Sequence, residues 1–133
     1  MQCVRLFLLI AAAALPLLVA VPCRAQNEPQ TLVIGGERLM TLRTVDTVNR
    51  RRMTIQDRID LVQDVFPKYL GGRFGRITSR PVGNRVHFYL NGDFFLACSP
   101  ADAHVNGYRS AAQLARIWRP MLQRAFDAST ARK

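Results

Sequence analysis

Two short runs of alternating residues carry the side chains with the clearest potential for binding chemistry. The runs cover 76–82 and 85–91 and flank Gly83–Asn84, a pair with glycine in the first turn position of a type II′ hairpin. In that register Arg80 faces His87, so polar side chains collect on one face and apolar ones on the other. The polar face is a candidate anion-binding site, formed by Arg76, Arg80, Arg85, His87 and Tyr89. Its guanidinium groups could bind anions or stack on planar ligands; the alternative is the ordinary solvent face of a half-buried sheet.

Three potential metal ligands, Cys98, Asp102 and His104, lie within seven residues of one another. Zinc sites usually need four donors at recognisable spacings, and the sequence has no C-x-x-C or H-x-x-x-H pair. We therefore predict no metal site and no cofactor, and a simple loop over 99–108. Cys98 is expected to be a small buried residue of a strand, with an intermolecular disulfide as the alternative.

Hydrolytic catalysis would require a nucleophile, a base and an oxyanion donor that support one another. The sequence has no G-x-S-x-G turn and no catalytic-cysteine signature. Its most closely spaced carboxylates, Asp57, Asp60 and Asp64, have the spacing of a solvent-facing helix stripe. We predict no catalytic residue and no enzymatic activity.

A second cluster of positive charge, Arg50 to Arg52, comes just before a predicted helix. Positive charge at a helix N-terminus is mildly unfavourable. The run could therefore serve an acidic partner or lipid headgroups, or it could belong to a solvated loop.

The elements that position these residues predict an α+β domain with an antiparallel sheet. The order is ββαβββα, with two amphipathic helices packed on one face of the sheet and the other face solvated. The predicted elements are strands 31–34 and 37–44 around Gly35–Gly36, a connector 45–53, a helix from Thr54 to Phe66, strands 76–82, 85–91 and 94–98, and a last helix after Ser110.

Capping signals and apolar periodicity define the two helices. Thr54 and Asp57 predict a capping box for the first helix, whose apolar face leaves Arg58 among the polar residues. Ser110 and Gln113 predict a cap for the last helix. Its apolar stripe is Leu114, Trp118, Met121, Leu122, Ala125 and Phe126.

The first segment, Met1–Ala25, has the pattern of an export signal. Arg5 precedes an apolar stretch over 6–21, and small residues come before Gln26. A retained anchor or a lipid on Cys23 are the alternatives, but the stretch is short for a membrane span. We expect a periplasmic or extracellular protein after cleavage near Ala25. The predicted organisation is signal peptide 1–25, linker 26–30, a single α+β domain 31–128 and tail 129–133, with no transmembrane segment in the mature chain.

The charge of the chain biases its partners towards anions. The 19 Lys and Arg residues outnumber the 9 Asp and Glu residues, giving a formal net charge of +10, and only Lys68 and Lys133 are lysines. Guanidinium groups suit carboxylates and phosphates, and a basic exported surface attracts lipid headgroups and acidic polymers. Nucleic acid is not an expected partner.

Three stretches carry a family resemblance: "IGGERLMTLR", "TIQDRIDLV" and "SPADAHVNGYRSAAQLARIW". The third contains Asp102–Ala103, then Gly107 and Ala111–Ala112. With this pattern, 31–126 resembles the small extracytoplasmic domain preceding the membrane region of some bacterial mechanosensitive small-conductance-type channels. The resemblance implies a non-enzymatic interaction module of the cell envelope. Since no apolar segment follows Phe126, we expect a free-standing version that forms no pore.

Two functions follow as hypotheses. The first is an exported, non-enzymatic binding domain that contacts another component of the bacterial cell envelope. The second is a basic protein that binds polyanions or lipid headgroups through the arginine-rich sheet face.

Overall fold

The chain folds as an α+β domain of antiparallel hairpins and helices, as predicted. The computed structural model describes residues 27–71 and 75–131; the predicted signal peptide Met1–Ala25 lies outside them. The elements are β1 (Gln30–Ile34), β2 (Glu37–Leu42), β3 (Asp46–Val48), β4 (Arg51–Met53), α1 (Ile55–Val65), a 3₁₀ helix (Phe66–Tyr69), β5 (Ile77–Val82), β6 (Arg85–Leu90), β7 (Asp93–Cys98), α2 (Pro100–Val105) and α3 (Ala111–Ala131). They form a β1–β2 sheet, a β3–β4 sheet and a β5–β6–β7 sheet.

The β5–β6 hairpin has the predicted register. Val82 pairs with Arg85 across the turn, and Arg80 pairs with His87. Gly83 has a φ of 61°, a backbone conformation that glycine adopts without a steric penalty. Strand β7 then extends the hairpin to a three-stranded meander.

The predicted connector 45–53 is instead the β3–β4 hairpin. Asp46 pairs with Met53 and Val48 with Arg51. The turn residues Asn49 and Arg50 both have positive φ, 51° and 64°, as a two-residue turn with right-handed strand twist requires. The β3–β4 hairpin was hard to predict from the sequence, because two-residue turns of this kind favour glycine, not arginine, at the second position.

Helix α1 begins with the predicted capping box. Asp57 N–H donates to Thr54 Oγ1, and Thr54 N–H donates to Asp57 Oδ2. The helix ends at Val65, and Pro67 lies in the 3₁₀ helix that follows. The assignment of Arg58 to the polar side was wrong, because only 2% of this residue is exposed.

The end of the chain departs from prediction at two places. The expected loop 99–108 contains α2, which Ser99 caps together with Asp102. Helix α3 continues to Ala131, so the predicted boundary between domain and tail at 128/129 falls inside a helix. Likewise, the predicted linker 26–30 overlaps β1 at Gln30.

The core lies between α3, α1 and the sheets. Helix α3 packs on β5 and β6, and α1 packs on β7. The predicted apolar stripe of α3 is buried except for Met121, which is half-buried. Neither α1 nor α3, nor any other helix within 27–71 and 75–131, combines the length and apolar character needed to span a bilayer.

Candidate anion-binding site

The predicted arginine-rich sheet face is not an open solvent face. Asp46 of β3 reaches Arg85 of β6, with Oδ1 at 3.0 Å from Nε and 2.9 Å from Nη2. Asp46 is 4% exposed, so the β3–β4 hairpin covers this end of the sheet. The expectation of a solvated second face was therefore wrong here, and Arg85 is already occupied by a carboxylate.

The centre of the same face is aromatic and enclosed. His87 is 7% exposed, and its ring centroid lies 5.0 Å from that of Phe94 and 6.5 Å from that of Tyr89. Burial lowers the pKa of His87 below its ordinary value; Asp46 opposes this shift and Arg85 adds to it. Burial thus favours the neutral imidazole over the cation that anion binding would need.

The two remaining predicted arginines point to different surroundings. The guanidinium carbon of Arg80 lies 5.3 Å from the centroid of the Tyr89 ring, a cation–π contact. Arg76 instead lines a cavity of about 300 Å³ with Arg119 and Gln123 of α3. The five predicted site residues therefore do not form one site. Only His87 and Tyr89 lie together, and Arg80 contacts the Tyr89 ring.

A different arginine cluster lies between α3 and strand β5, the edge strand of the meander. Here three cavities of about 300, 450 and 330 Å³ follow one another; the first two share Arg119, and the last two share Pro81, Val86 and Ala112. We call these three adjoining cavities together the α3–β5 groove. Its arginines are Arg76, Arg119, Arg116, Arg109 and Arg85.

The α3–β5 groove contains no acidic side chain. None of the nine Asp and Glu residues of the chain lines any of its three cavities. Arg85 is paired with Asp46, whereas Arg76, Arg109, Arg116 and Arg119 are exposed and have no salt bridge within the described part of the chain. By contrast, Asp57, Asp60 and Asp64 line a separate cavity beside the β3–β4 hairpin. Three of the acidic side chains thus gather in a cavity apart from the groove.

Helical and strand periodicity together build the groove. Ala112 and Ala115 place small side chains three residues apart on α3, and Arg116 and Arg119 place long cationic ones with the same spacing. On the strand side, Ser79 and Pro81 lie two residues apart, on the face of the sheet that packs against the helix. The spacing along α3 was visible in the sequence, but its apposition to β5 was not.

The edge of β5 that borders the groove offers few backbone donors. Because Gly83–Asn84 is a two-residue turn, Ile77, Ser79 and Pro81 direct their backbone groups away from β6. The Ile77 N–H already donates to Gln123 Oε1 at 2.8 Å, and proline has no N–H. Ser79 is left with the one available outward N–H of these three residues.

Cys98, Asp102 and His104 do not meet as ligands. Cys98 is fully buried, with its Sγ 3.5 Å from the carbonyl oxygen of Ala111, whereas His104 is exposed. Burial, followed by the charge of Asp102, raises the pKa of Cys98 to about 12. Over the described ranges, no three His, Cys, Asp or Glu side chains are placed to hold a metal ion.

Asp102 belongs to a buried polar network that sequence reasoning missed. Arg58 Nη1 and Nη2 donate to its two carboxylate oxygens at 2.9 and 2.8 Å, and the Thr44 hydroxyl donates to Oδ1 at 2.6 Å. Ser99 completes the set through its N–H and hydroxyl. Burial opposes ionisation of Asp102, but Arg58 and the other donors outweigh it and hold the pKa of this carboxyl below its ordinary value. The Ser99-x-x-Asp102 spacing of a capping box was the available signal.

The other sequence candidates lie apart from the groove. Arg50–Arg52 occupies the turn and second strand of the β3–β4 hairpin. Neither His87 nor His104 lines any of the five cavities described for the domain.

The chain matches no protein-family model, and no curated protein or solved structure is significantly similar to it. The resemblance to the extracytoplasmic domain of small-conductance-type channels therefore stays a prediction. The case for a binding site depends on the geometry and charge of the α3–β5 groove.

Proposed function

We propose that this protein is an exported, non-enzymatic binding domain of the bacterial cell envelope that holds an anionic component in the α3–β5 groove. In this proposal it is related to the small extracytoplasmic domain of channels that the sequence resembles. The observation that carries the proposal is a concave surface whose described lining includes no Asp or Glu. It has four exposed arginines without a salt bridge to any described residue, Arg76, Arg109, Arg116 and Arg119.

Positive groups that face a common depression raise its electrostatic potential and attract anions from a distance. Carboxylates would normally offset that potential, and none lines the three cavities. Asp46 and Asp127 contact the lining residues Arg85 and Gln123 without lining the cavities themselves. The sheet face is the poorer candidate, because Asp46 is paired with Arg85 and burial lowers the pKa of His87. The sequence suggested two functions, and the groove favours the second one, anion binding. The groove is a different site from the sheet face that the sequence predicted.

The arrangement of the nucleophilic and basic side chains supports a non-enzymatic role. The thiol of Cys98 is buried with a raised pKa, and the His87 ring packs against the rings of Phe94 and Tyr89. Both carboxylate oxygens of Asp102 accept hydrogen bonds from Arg58, Thr44 and Ser99. These three groups are engaged in the packing and hydrogen bonding of the fold and are not arranged together as a nucleophile and base.

The test compares two double variants of equal charge. R116Q/R119Q removes two groove arginines, and R50Q/R52Q removes two exposed arginines of the β3–β4 hairpin. Binding of each purified protein is measured against phosphatidylglycerol vesicles, inorganic polyphosphate and poly-glutamate over a range of salt concentrations. Only the groove variant should lose affinity, and its plot of log affinity against log salt should become shallower by about one to two units.

Equal losses in both double variants would show that net charge, not the groove, governs binding, and would contradict the proposal. Failure of all three probes to bind the unchanged protein would do so as well. The export part is checked separately by N-terminal sequencing of protein recovered from the periplasm or medium, with Gln26 expected as the first residue. Recovery only from the cytoplasm would refute it.

A further inference from the structure

We propose that the occupant of the α3–β5 groove is a single linear chain of phosphate groups. This inference rests on the proposed function and specifies its ligand. Two supporting observations are that all the cationic side chains of the groove are arginines and that they follow one another along its three cavities. Two more are that the bordering strand offers few backbone N–H donors and that the described lining residues include no aromatic ring.

Guanidinium groups suit phosphate because their planar fork donates two parallel hydrogen bonds to two oxygens of one anion. Every cationic side chain that lines the groove is arginine. Arg76 and Arg119 line the first cavity. Arg119 and Arg116 line the second, and Arg109 lines the third. Cations distributed in this order fit an anion that repeats along its length better than one isolated headgroup.

An acidic peptide would find fewer partners. A peptide brings its own N–H and C=O groups into the groove, and these need hydrogen bonds once water is displaced. Along the bordering edge of β5, Ile77, Ser79 and Pro81 offer carbonyl oxygens to the N–H groups of a peptide. For its carbonyl groups these residues keep only the Ser79 backbone N–H, because the Ile77 N–H is bound to Gln123 and proline has none. A phosphate chain carries acceptors alone, so the arginine side chains can satisfy it without a backbone partner.

A nucleic acid would also be a poor fit. Proteins that hold single strands without sequence preference usually stack the bases on aromatic side chains. The described residues that line the three cavities include no Phe, Tyr or Trp. The nearby Tyr89 lies on the opposite face of the sheet and contacts Arg80.

The experiment measures affinity for inorganic phosphate, tripolyphosphate and longer polyphosphates at constant salt. Affinity should rise with chain length and level off once the chain spans the groove, because neighbouring arginines then act on one molecule. R116Q/R119Q should weaken binding of the long chain by roughly tenfold or more, and R50Q/R52Q by less than about twofold. Both variants change exposed side chains, and circular dichroism with thermal unfolding verifies that each remains folded.

The comparison probes separate the failure of this inference from that of the proposed function. Poly-glutamate, single-stranded oligodeoxynucleotide and phosphatidylglycerol vesicles should each bind more weakly than polyphosphate of equal charge concentration. If one of them binds as tightly and depends equally on Arg116 and Arg119, the phosphate-chain inference is overturned and the groove function stands. If affinity does not change with phosphate chain length, the inference also fails. If no anion binds, both proposals fail.

Discussion

Arg58 of α1 and Asp102 of α2 form a bidentate ion pair, with N–O distances of 2.9 and 2.8 Å, and the two side chains are 2% and 1% exposed. Arg58 also donates from Nη2 to the carbonyl oxygen of Ala97 in β7 and from Nη1 to that of Thr44. One guanidinium group therefore connects the loop before β3, the last strand of the meander and the cap of α2. Its Nε has no hydrogen-bond partner within 27–71 and 75–131, so the pair already carries an uncompensated polar atom.

Replacing Asp102 with asparagine should destabilise the fold strongly. The substitution leaves the Arg58 charge buried without a counterion, which typically costs about 3–5 kcal/mol. Urea unfolding measures the loss. The double variant Arg58→Met with Asp102→Leu should lose less than Asp102→Asn alone, because it removes both charges. If the free energy of unfolding of Asp102→Asn lies within about 1 kcal/mol of that of the parent protein, the stabilising role assigned to the ion pair is contradicted.

Acidification through the histidine range should reduce stability, mainly through His87. Burial lowers its pKa in the folded state, while Asp46 and Arg85 act in opposite directions on it. The unfolded imidazole takes up a proton near pH 6.5, so the stabilising contribution is complete above about pH 6.5 and declines as pH falls towards the lower folded pKa.

Unfolding free energies at pH 7.5 and 5.5 would measure this decline. His87→Gln should reduce the difference between the two values. His104→Gln is the matched control, because it replaces the only other histidine, which is exposed, and should keep the parent difference. An unchanged difference in His87→Gln would count against the assignment.

Cys98 should resist alkylation in the native protein. Its side chain is fully buried, and its pKa of about 12 leaves almost no thiolate at neutral pH. Iodoacetamide labelling with peptide mapping should find the Cys98 peptide unmodified in buffer and modified in urea. Rapid labelling in buffer, or a Cys98–Cys98 disulfide in native protein, would instead revive the intermolecular disulfide considered from the sequence.

Arg50→Gly should stabilise the β3–β4 hairpin. Arg50 has a φ of 64°, where a side chain is strained but glycine is not. Relief of that strain, less the added flexibility of the unfolded chain, should increase the free energy of unfolding by about 0.5–1 kcal/mol. Thermal unfolding provides the measurement, and Arg52→Gly, an exposed strand position nearby, should lower stability instead. A loss of stability in Arg50→Gly would show that the arginine side chain contributes more than its conformation costs.

Local patterns predicted local structure well. The turn at Gly83–Asn84 determined the register of β5 and β6, and Thr54 with Asp57 predicted the start of α1. These signals work because the interacting groups are only a few residues apart. The same reasoning failed for Arg58, whose partner Asp102 is 44 residues away and is brought close only by packing of the whole domain.

The candidate site was the least predictable part of the molecule. Alternation predicted one polar face for Arg76, Arg80 and Arg85, but it could not show that Asp46 covers one end of this face or that Arg76 lines a cavity beside α3. The α3–β5 groove combines residues from two elements separated by more than twenty positions. Each element is unremarkable alone, and only their apposition leaves arginines without carboxylates.

The capped edge of β5 has a further consequence for how this protein behaves at high concentration. An open sheet edge can recruit strands from other molecules and start fibre growth. At β5, Pro81 has no backbone N–H and the Ile77 N–H is bound to Gln123, so a strand from another molecule finds few backbone donors along this edge. Pro81 and Gln123 also line the α3–β5 groove. A substitution that reshapes the groove at either position would therefore also expose the protein to aggregation.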